Sequence, residues 1–361
     1  MPTTAAPTPI FHADFTLSDD QQAVLEAFTA FFERECPPER VRDAEPDGFD
    51  ADLWTRLAEM RIVAMGVDAE HGGDGAGMVE LCLAAEEWGR HLGPVPLAES
   101  MTAARLLGRA AGLGAPTEHL GAALDGTELV TLALHPVRPG QPQLVPAAAV
   151  ADAVVALVGE RLVVAPIESR PPIVPNQGRT PLAWFDVSSA TTVTLAEGPA
   201  AVDAFADARR EWQLLMAAAM TGMASGCLAI GVDHAKDRIA FGVPIGTFQA
   251  VAHPLVDAAM NAETSRRLVR KAAWWADTDP SVRRELVPMA YHFAEHTAVH
   301  ASSVSVHTLG GVGFTVESDA QLYFRRAKGW TLIGGDPNDQ LDDAADALFG
   351  AAENATSEVP A

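Results

Sequence analysis

The residue types and spacings suited to chemistry in this 361-residue chain are few. Arg238 follows a long uncharged stretch; its guanidinium is a planar, permanently charged fork that fits a phosphate bidentately. Gly310-Gly311-Val312-Gly313 is a run whose backbone can take positive φ or let a ligand approach closely. Glu211 is a carboxylate that could act as a base, although an acid near a helix start also suits the helix dipole. Asp336 stands before Pro337 and reads as a cap or turn residue. His292 and His296 are four apart, the spacing of metal ligands on one helix face, but only Glu295 stands beside them. Packed or partly exposed imidazoles are the reading these residues favour. No G-x-S-x-G elbow and no H-E-x-x-H pair occurs, so neither hydrolase chemistry has its usual signature.

Composition narrows the setting. The net charge of −23 disfavours nucleic acid and anionic lipid as partners. Cys36, Cys82 and Cys227 are odd in number and widely spaced, with no C-x-x-C. That fits a reducing cytoplasm and argues against a disulfide framework or thiolate zinc. Met1 to Phe15 has no basic and apolar export pattern. Trp212 to Val232 is free of charge and carries a Gly222/Gly226 pair, so its length admits a membrane span. It is rich in Ala and Gly, holds Gln213, Thr221 and Ser225, and reads as a buried helix.

These residues must be positioned by a helical, β, helical succession. Ser18-Asp19-Asp20 opens a helix whose Val24, Leu25, Phe28, Phe31 and Phe32 share one face and which stops at Cys36-Pro37-Pro38. Asp50 opens another, and helices run from Met78 to Arg90 and from Leu97 to Ala111. Glu128–Leu134, Ala153–Val158, Arg161–Ala165 and Thr191–Leu195 read as strands, and Pro166 to Pro181 as loop. Helix returns near Ala201, then over Phe248–Asp277, Ser281–Leu309, Asp319–Trp330 and up to Phe349. The expected units are a helical domain over 1–127, a reduced β domain over 128–200, a helical bundle over 201–350 and a flexible tail over 351–361.

Two segments carry a resemblance. Arg238-Ile239-Ala240-Phe241-Gly242-Val243-Pro244-Ile245-Gly246-Thr247-Phe248-Gln249 resembles the R-x-x-F-G-x-P-[IL]-x-x-F-Q signature of the acyl-CoA dehydrogenase family. Leu309-Gly310-Gly311-Val312-Gly313-Phe314, with Arg325-Arg326-Ala327-Lys328 after it, resembles that family's L-G-G-x-G-[FY] … R-D-A-K stretch with the spacing kept. The resemblance implies a mostly α fold with a small central β domain and a C-terminal four-helix bundle. It implies FAD as cofactor, an acyl-CoA as substrate and an electron-transfer flavoprotein as acceptor. A carboxylate removes a proton from Cα of the thioester and the flavin takes the Cβ hydride. Carried over, Arg238, Phe241, Gln249, His307, Leu309, Gly310 and Gly311 contact FAD across a subunit boundary, with His307 where the family usually has Gln.

The departures point further. The family's usual catalytic glutamate position falls on Gly334, and the alternative position on the earlier helix falls on Trp212; neither side chain is a base. Glu211 is next door, but one helical residue is a rotation of about 100°. The family's two flavin-holding stretches of the β domain are missing between Thr131 and Pro166, with Leu134-His135-Pro136 where the first would begin. The chain thus resembles the base-less subunit of the two-gene, α2β2 acyl-CoA dehydrogenases of actinobacteria, a group that acts on CoA thioesters of steroid side chains. The other expectations are a self-sufficient homotetramer with a relocated base such as Glu211, and a flavin-free relative that binds or hydrolyses acyl-CoA.

Overall fold

The computed structural model describes residues 14–336 and 338–350. The expected flexible tail over 351–361 and most of the Met1–Phe15 stretch lie outside the described residues. The N-terminal helices are α1 (Asp19–Glu35), α2 (Pro38–Asp43), α3 (Ala51–Glu59), α4 (Met78–Arg90), α5 (Leu97–Gly112) and α6 (Glu118–Leu124). Local signals place their ends. Ser18 Oγ accepts from Gln21 N at 3.2 Å while Gln21 Oε1 accepts from Ser18 N at 3.1 Å, a reciprocal capping box. Asp50 caps α3 through Leu53 N at 2.8 Å.

Strands β1 (Val130–Leu132), β3 (Ala153–Val158), β4 (Arg161–Pro166) and β6 (Val193–Glu197) form one sheet in the order β1-β3-β4-β6. β1 runs parallel to β3 and the other pairs are antiparallel. Gly159, at φ +62°, starts the two-residue turn between β3 and β4. The short strands β2 (Gln143–Val145) and β5 (Ala183–Phe185), which the sequence pattern does not reveal, pair separately.

The C-terminal helices are α7 (Pro199–Asp237), α8 (Gln249–Thr278), α9 (Leu286–Leu309), α10 (Asp319–Trp330) and α11 (Asp339–Phe349). Between α7 and α8 lies a small hairpin of β7 (Ile239–Ala240) and β8 (Val243–Pro244). The uncharged stretch is the middle of α7, largely buried in the core. Its glycine pair explains itself here: a Cβ on Gly222 would meet Glu86 O at 1.8 Å, and one on Gly226 would meet Arg90 O at 2.6 Å. The glycines let α4 cross α7 backbone against backbone, so this is a helix contact inside a core. α9 begins at Leu286 rather than at the expected Ser281. Arg283 sits at φ +56°, outside helical geometry, and Pro288 lacks the N–H that an interior helical position needs. One cap joins remote segments: Asp277 near the end of α8 accepts from Met78 N at 2.6 Å and Val79 N at 3.1 Å, closing the start of α4.

Candidate active site and cofactor surface

Both positions where a catalytic acid is expected come together, and the space between them is filled. Gly334 follows α10, and a Cβ there would lie 2.9 Å from Tyr291 Oη and 3.0 Å from Trp212 Cζ3. Trp212 on α7 and Tyr291 on α9 are among the largest fully buried side chains. Their rings lie 6.0 Å apart. Trp212 Nε1 donates to Glu99 Oε1 at 3.0 Å. Glu99 is itself buried, and that burial pushes its carboxyl above the usual range although the indole bond pulls the other way. An aromatic pair therefore occupies the volume a base and its substrate would need.

Glu211 faces elsewhere. It accepts from Arg105 Nη2 at 2.8 Å, from Arg105 Nε at 3.1 Å and from Arg109 Nη2. Burial works against its ionisation, but Arg109 and Arg105 outweigh that and hold its carboxyl below the usual range. Such a carboxylate is a weak proton acceptor. Asp336 accepts from Asn338 N at 2.9 Å and Asn338 Nδ2 at 3.0 Å, the turn role its sequence position suggests.

Sequence reasoning passes over two buried acids near this place. Glu99 is one; Glu295, one turn beyond Tyr291 on α9, is the other. Glu295 has no hydrogen-bond partner on either oxygen among the described residues, and burial, with Asp336 nearby, pushes its carboxyl up to about 8. Nothing in the local pattern marks either as buried, since the packing partners of each helix are remote in sequence. His292 Nδ1 lies 3.8 Å from Glu295, while His296 and His300 stack on each other. No group of three or more metal-ligating side chains converges among the described residues.

The crevice between the sheet and the helices is almost closed. A cavity of about 30 Å³ remains there, bordered by Glu99, Pro146, Thr180, Met216, Trp330 and Ile333. That is room for about two waters. The 176–181 loop seals it. Trp330 Nε1 donates to Gly178 O at 3.1 Å, Trp330 stacks on Trp88 at 4.8 Å, and a Cβ on Gly329 would meet Gly178 N at 2.1 Å. Past β1, His135 lies beside Gly335. A tricyclic flavin ring does not fit this crevice.

The other candidate residues collect at the far end of the bundle. α7 and α9 run parallel, with Trp212 beside Tyr291 and Gly231 facing Ser305. Their C-terminal ends, Arg238 and Gly310, therefore emerge together. Arg238 is exposed, caps α7 and makes no ion pair among the described residues. The hairpin turn puts Phe241 at φ +54° and Gly242 at φ +82°, the paired positive values of a type I′ turn. Phe241 is 96% exposed and touches Phe248 edge to face. A non-glycine residue strained in this way and left in solvent has no packing reason within the chain. Gln249, the first residue of α8, and His307 are exposed too. Leu309 is different: it packs on the cluster of Cys227, Val306 and Ala320. Gly310 ends α9 at φ +66°, which calls for glycine. Gly311 has ordinary φ, and a Cβ there would meet nothing within 4 Å.

Comparisons with known proteins bear on the family. Residues 18–111 match the acyl-CoA dehydrogenase N-terminal domain family and residues 203–349 the acyl-CoA dehydrogenase C-terminal domain family. The chain is 31% identical over 328 residues to the acyl-CoA dehydrogenase IpdE2 of Mycolicibacterium smegmatis, covering 90% of this chain and 97% of that one. Its fold is similar to the Tcur3481-Tcur3483 steroid ACAD, with TM-score 0.79 and 25% identity over 92% of this chain and 98% of that one. It is also similar to the ChsE4-ChsE5 complex of Mycobacterium tuberculosis, with TM-score 0.77 and 24% identity over 93% and 99%. The chain belongs to the acyl-CoA dehydrogenases, flavoprotein oxidoreductases whose cofactor is FAD.

Proposed function

We propose that this chain is the base-less subunit of a heteromeric acyl-CoA dehydrogenase, and that it contributes FAD contacts to a partner that carries the base. One observation carries the reading: Gly334, Trp212 and Tyr291 fill the base position, while Arg238 has no ion-pair partner among the described residues and Phe241 is 96% exposed on the outer surface. About 25 residues of α7, ~38 Å of helix rise, separate Trp212 from Arg238. That exceeds the reach of one dinucleotide, so the two ends answer to different sites. Gly311, which nothing in the chain requires to be glycine, is accounted for by close approach of a group from outside. Bound FAD would supply the hydride acceptor. This chain's part would be to hold it: Arg238 would pair with the pyrophosphate, Phe241 would cover an apolar face, and the Gly310-Gly311 backbone would admit the adenine half, with Gln249 and His307 as polar neighbours.

The substrate in this reading is a CoA thioester. Its steroid side-chain character is supported by the likeness to the Tcur3481-Tcur3483 steroid ACAD. The α2β2 assembly is supported by the likeness to the ChsE4-ChsE5 complex, and an electron-transfer flavoprotein is the acceptor the family chemistry asks for. A cytoplasmic setting suits the three buried, unbridged cysteines. A self-sufficient enzyme would need Glu99 or Glu295 as base and a crevice wider than the one present.

The test is co-purification. Expressed alone, the chain is expected to be colourless; with its partner subunit, the complex is expected to be yellow and to oxidise an acyl-CoA. A stoichiometric flavin complement in the chain alone would end this proposal.

A further inference from the structure

A second cavity, of about 250 Å³, lies between α5, α7, the end of α8 and the turn before α9. It shares no lining residue with the closed crevice. Five of its side chains are arginines and two are acids, an excess of positive charge in a chain of net charge −23. The acids do not satisfy it. Glu211 engages both Arg105 and Arg109, and Asp207 engages Arg210. Arg109 Nη1 remains buried with no hydrogen-bond partner among the described residues, and so does the indole Nε1 of Trp275, a residue 9% exposed. Arg283 Nε lies 3.1 Å from Glu285 Oε1, an ion pair. Arg284 donates only a long bond to Pro280 O at 3.4 Å. Buried donors left unpaired each cost about 1–3 kcal/mol, and two on one cavity wall call for a common acceptor. Between them the wall is apolar, with Met78, Leu214 and Val287.

We infer that this cavity binds an amphipathic organic oxyanion, with its charged head among Arg109, Arg284 and Trp275 Nε1 and a short apolar body against Met78, Leu214 and Val287. An inorganic ion would leave the apolar wall uncovered, and an uncharged lipid would leave Arg109 Nη1 and Arg284 without an anion. The head is a carboxylate or a phosphate monoester; both present oxygens to the arginine forks.

Calorimetric titration of the full chain with octanoate, octyl phosphate, inorganic phosphate and octanol tests this. At least one of the two amphiphilic anions is expected to bind 1:1, at least about tenfold more tightly than octanol or inorganic phosphate, and the tighter of the pair names the head group. Arg109→Gln and Arg284→Ala are each expected to weaken it about tenfold. Arg109 also holds Glu211, so Arg284→Ala, at an exposed turn position, decides the matter if Arg109→Gln lowers thermal stability. No saturable binding of either amphiphile at millimolar concentration, binding no tighter than that of inorganic phosphate, or affinities unchanged in Arg284→Ala would each overturn the inference.

Discussion

A Cβ placed on Gly334 would come within 3.0 Å of Trp212 Cζ3, so one of the two positions that could carry a base has closed over the other. The two losses are coupled through packing, because the indole fills the volume the glycine leaves. Gly334→Ala must then push Trp212 or Tyr291 aside. Overpacking of this kind costs about 1–3 kcal/mol. Urea unfolding of Gly334→Ala is expected to show that loss, and Trp212→Phe in the same chain is expected to recover part of it. A change below about 0.5 kcal/mol in Gly334→Ala would mean the contact is not tight.

Glu211 pairs with Arg105 and Arg109, and the proposed function gives it no role as a base. Glu211→Gln is expected to leave turnover of the assembled complex within about twofold, yet to lower stability by roughly 3 kcal/mol by stranding Arg105 and Arg109. The pH sign follows from its lowered carboxyl. Its contribution is present above the ordinary glutamate range and is lost as pH falls through the depressed value. The stability gap between wild type and Glu211→Gln should therefore shrink in acid. A turnover loss of several orders of magnitude, with flavin retained, would restore Glu211 as a base.

Glu295 behaves in the opposite way. Its carboxyl is raised to about 8 by burial and by Asp336, so the folded chain holds a proton that the unfolded chain releases near 4.5. Stability contributed through this group falls as pH rises from about 5 to about 8, by up to ~1.4 kcal/mol per pH unit. Glu295→Gln, which stays neutral, should match wild type near pH 4.5 and exceed it by a few kcal/mol at pH 8.5. Parallel stability–pH curves for the two proteins would show that Glu295 is not held protonated.

Arg238 and Gly311 separate folding from cofactor retention. Both are exposed, and neither has an internal partner among the described residues. Arg238→Ala and Gly311→Val are expected to change the unfolding free energy of the chain by less than about 0.5 kcal/mol. In the assembled complex each is expected to lower bound FAD, read from visible absorbance after gel filtration, by about tenfold in affinity for the loss of a charged phosphate partner. Full flavin content in Arg238→Ala would place the pyrophosphate elsewhere.

Much of the secondary structure could be read from the chain because its causes are local. Ser18 with Gln21, and Asp50 with Leu53, are caps written within four residues. The β3–β4 hairpin needs only two short apolar runs on either side of Gly159. The family signatures around Arg238 and Gly310 were legible for a related reason: a turn of positive φ and an outward arginine tolerate few substitutes. Strands β2 and β5 were not legible, because three residues carry no period and their pairing joins segments 38 to 42 residues apart. The early start expected for α9 overlooked that Pro288 has to stand in the first turn.

By itself, the sequence determined the helical, β, helical succession, the family, and that positions 212 and 334 hold tryptophan and glycine rather than a carboxylate, since all of these depend on residue type and short spacing. Only the tertiary structure decided what surrounds those two positions. It brought Trp212, Tyr291, Gly334 and Glu99 together from four separate segments, turned Glu211 toward two arginines on α5, and shut the crevice with the 176–181 loop. Such contacts depend on how far apart whole helices lie and on how each is rotated about its axis. One residue along α7 turns a side chain by about 100°, and no local pattern fixes that rotation against helices folded from distant parts of the chain.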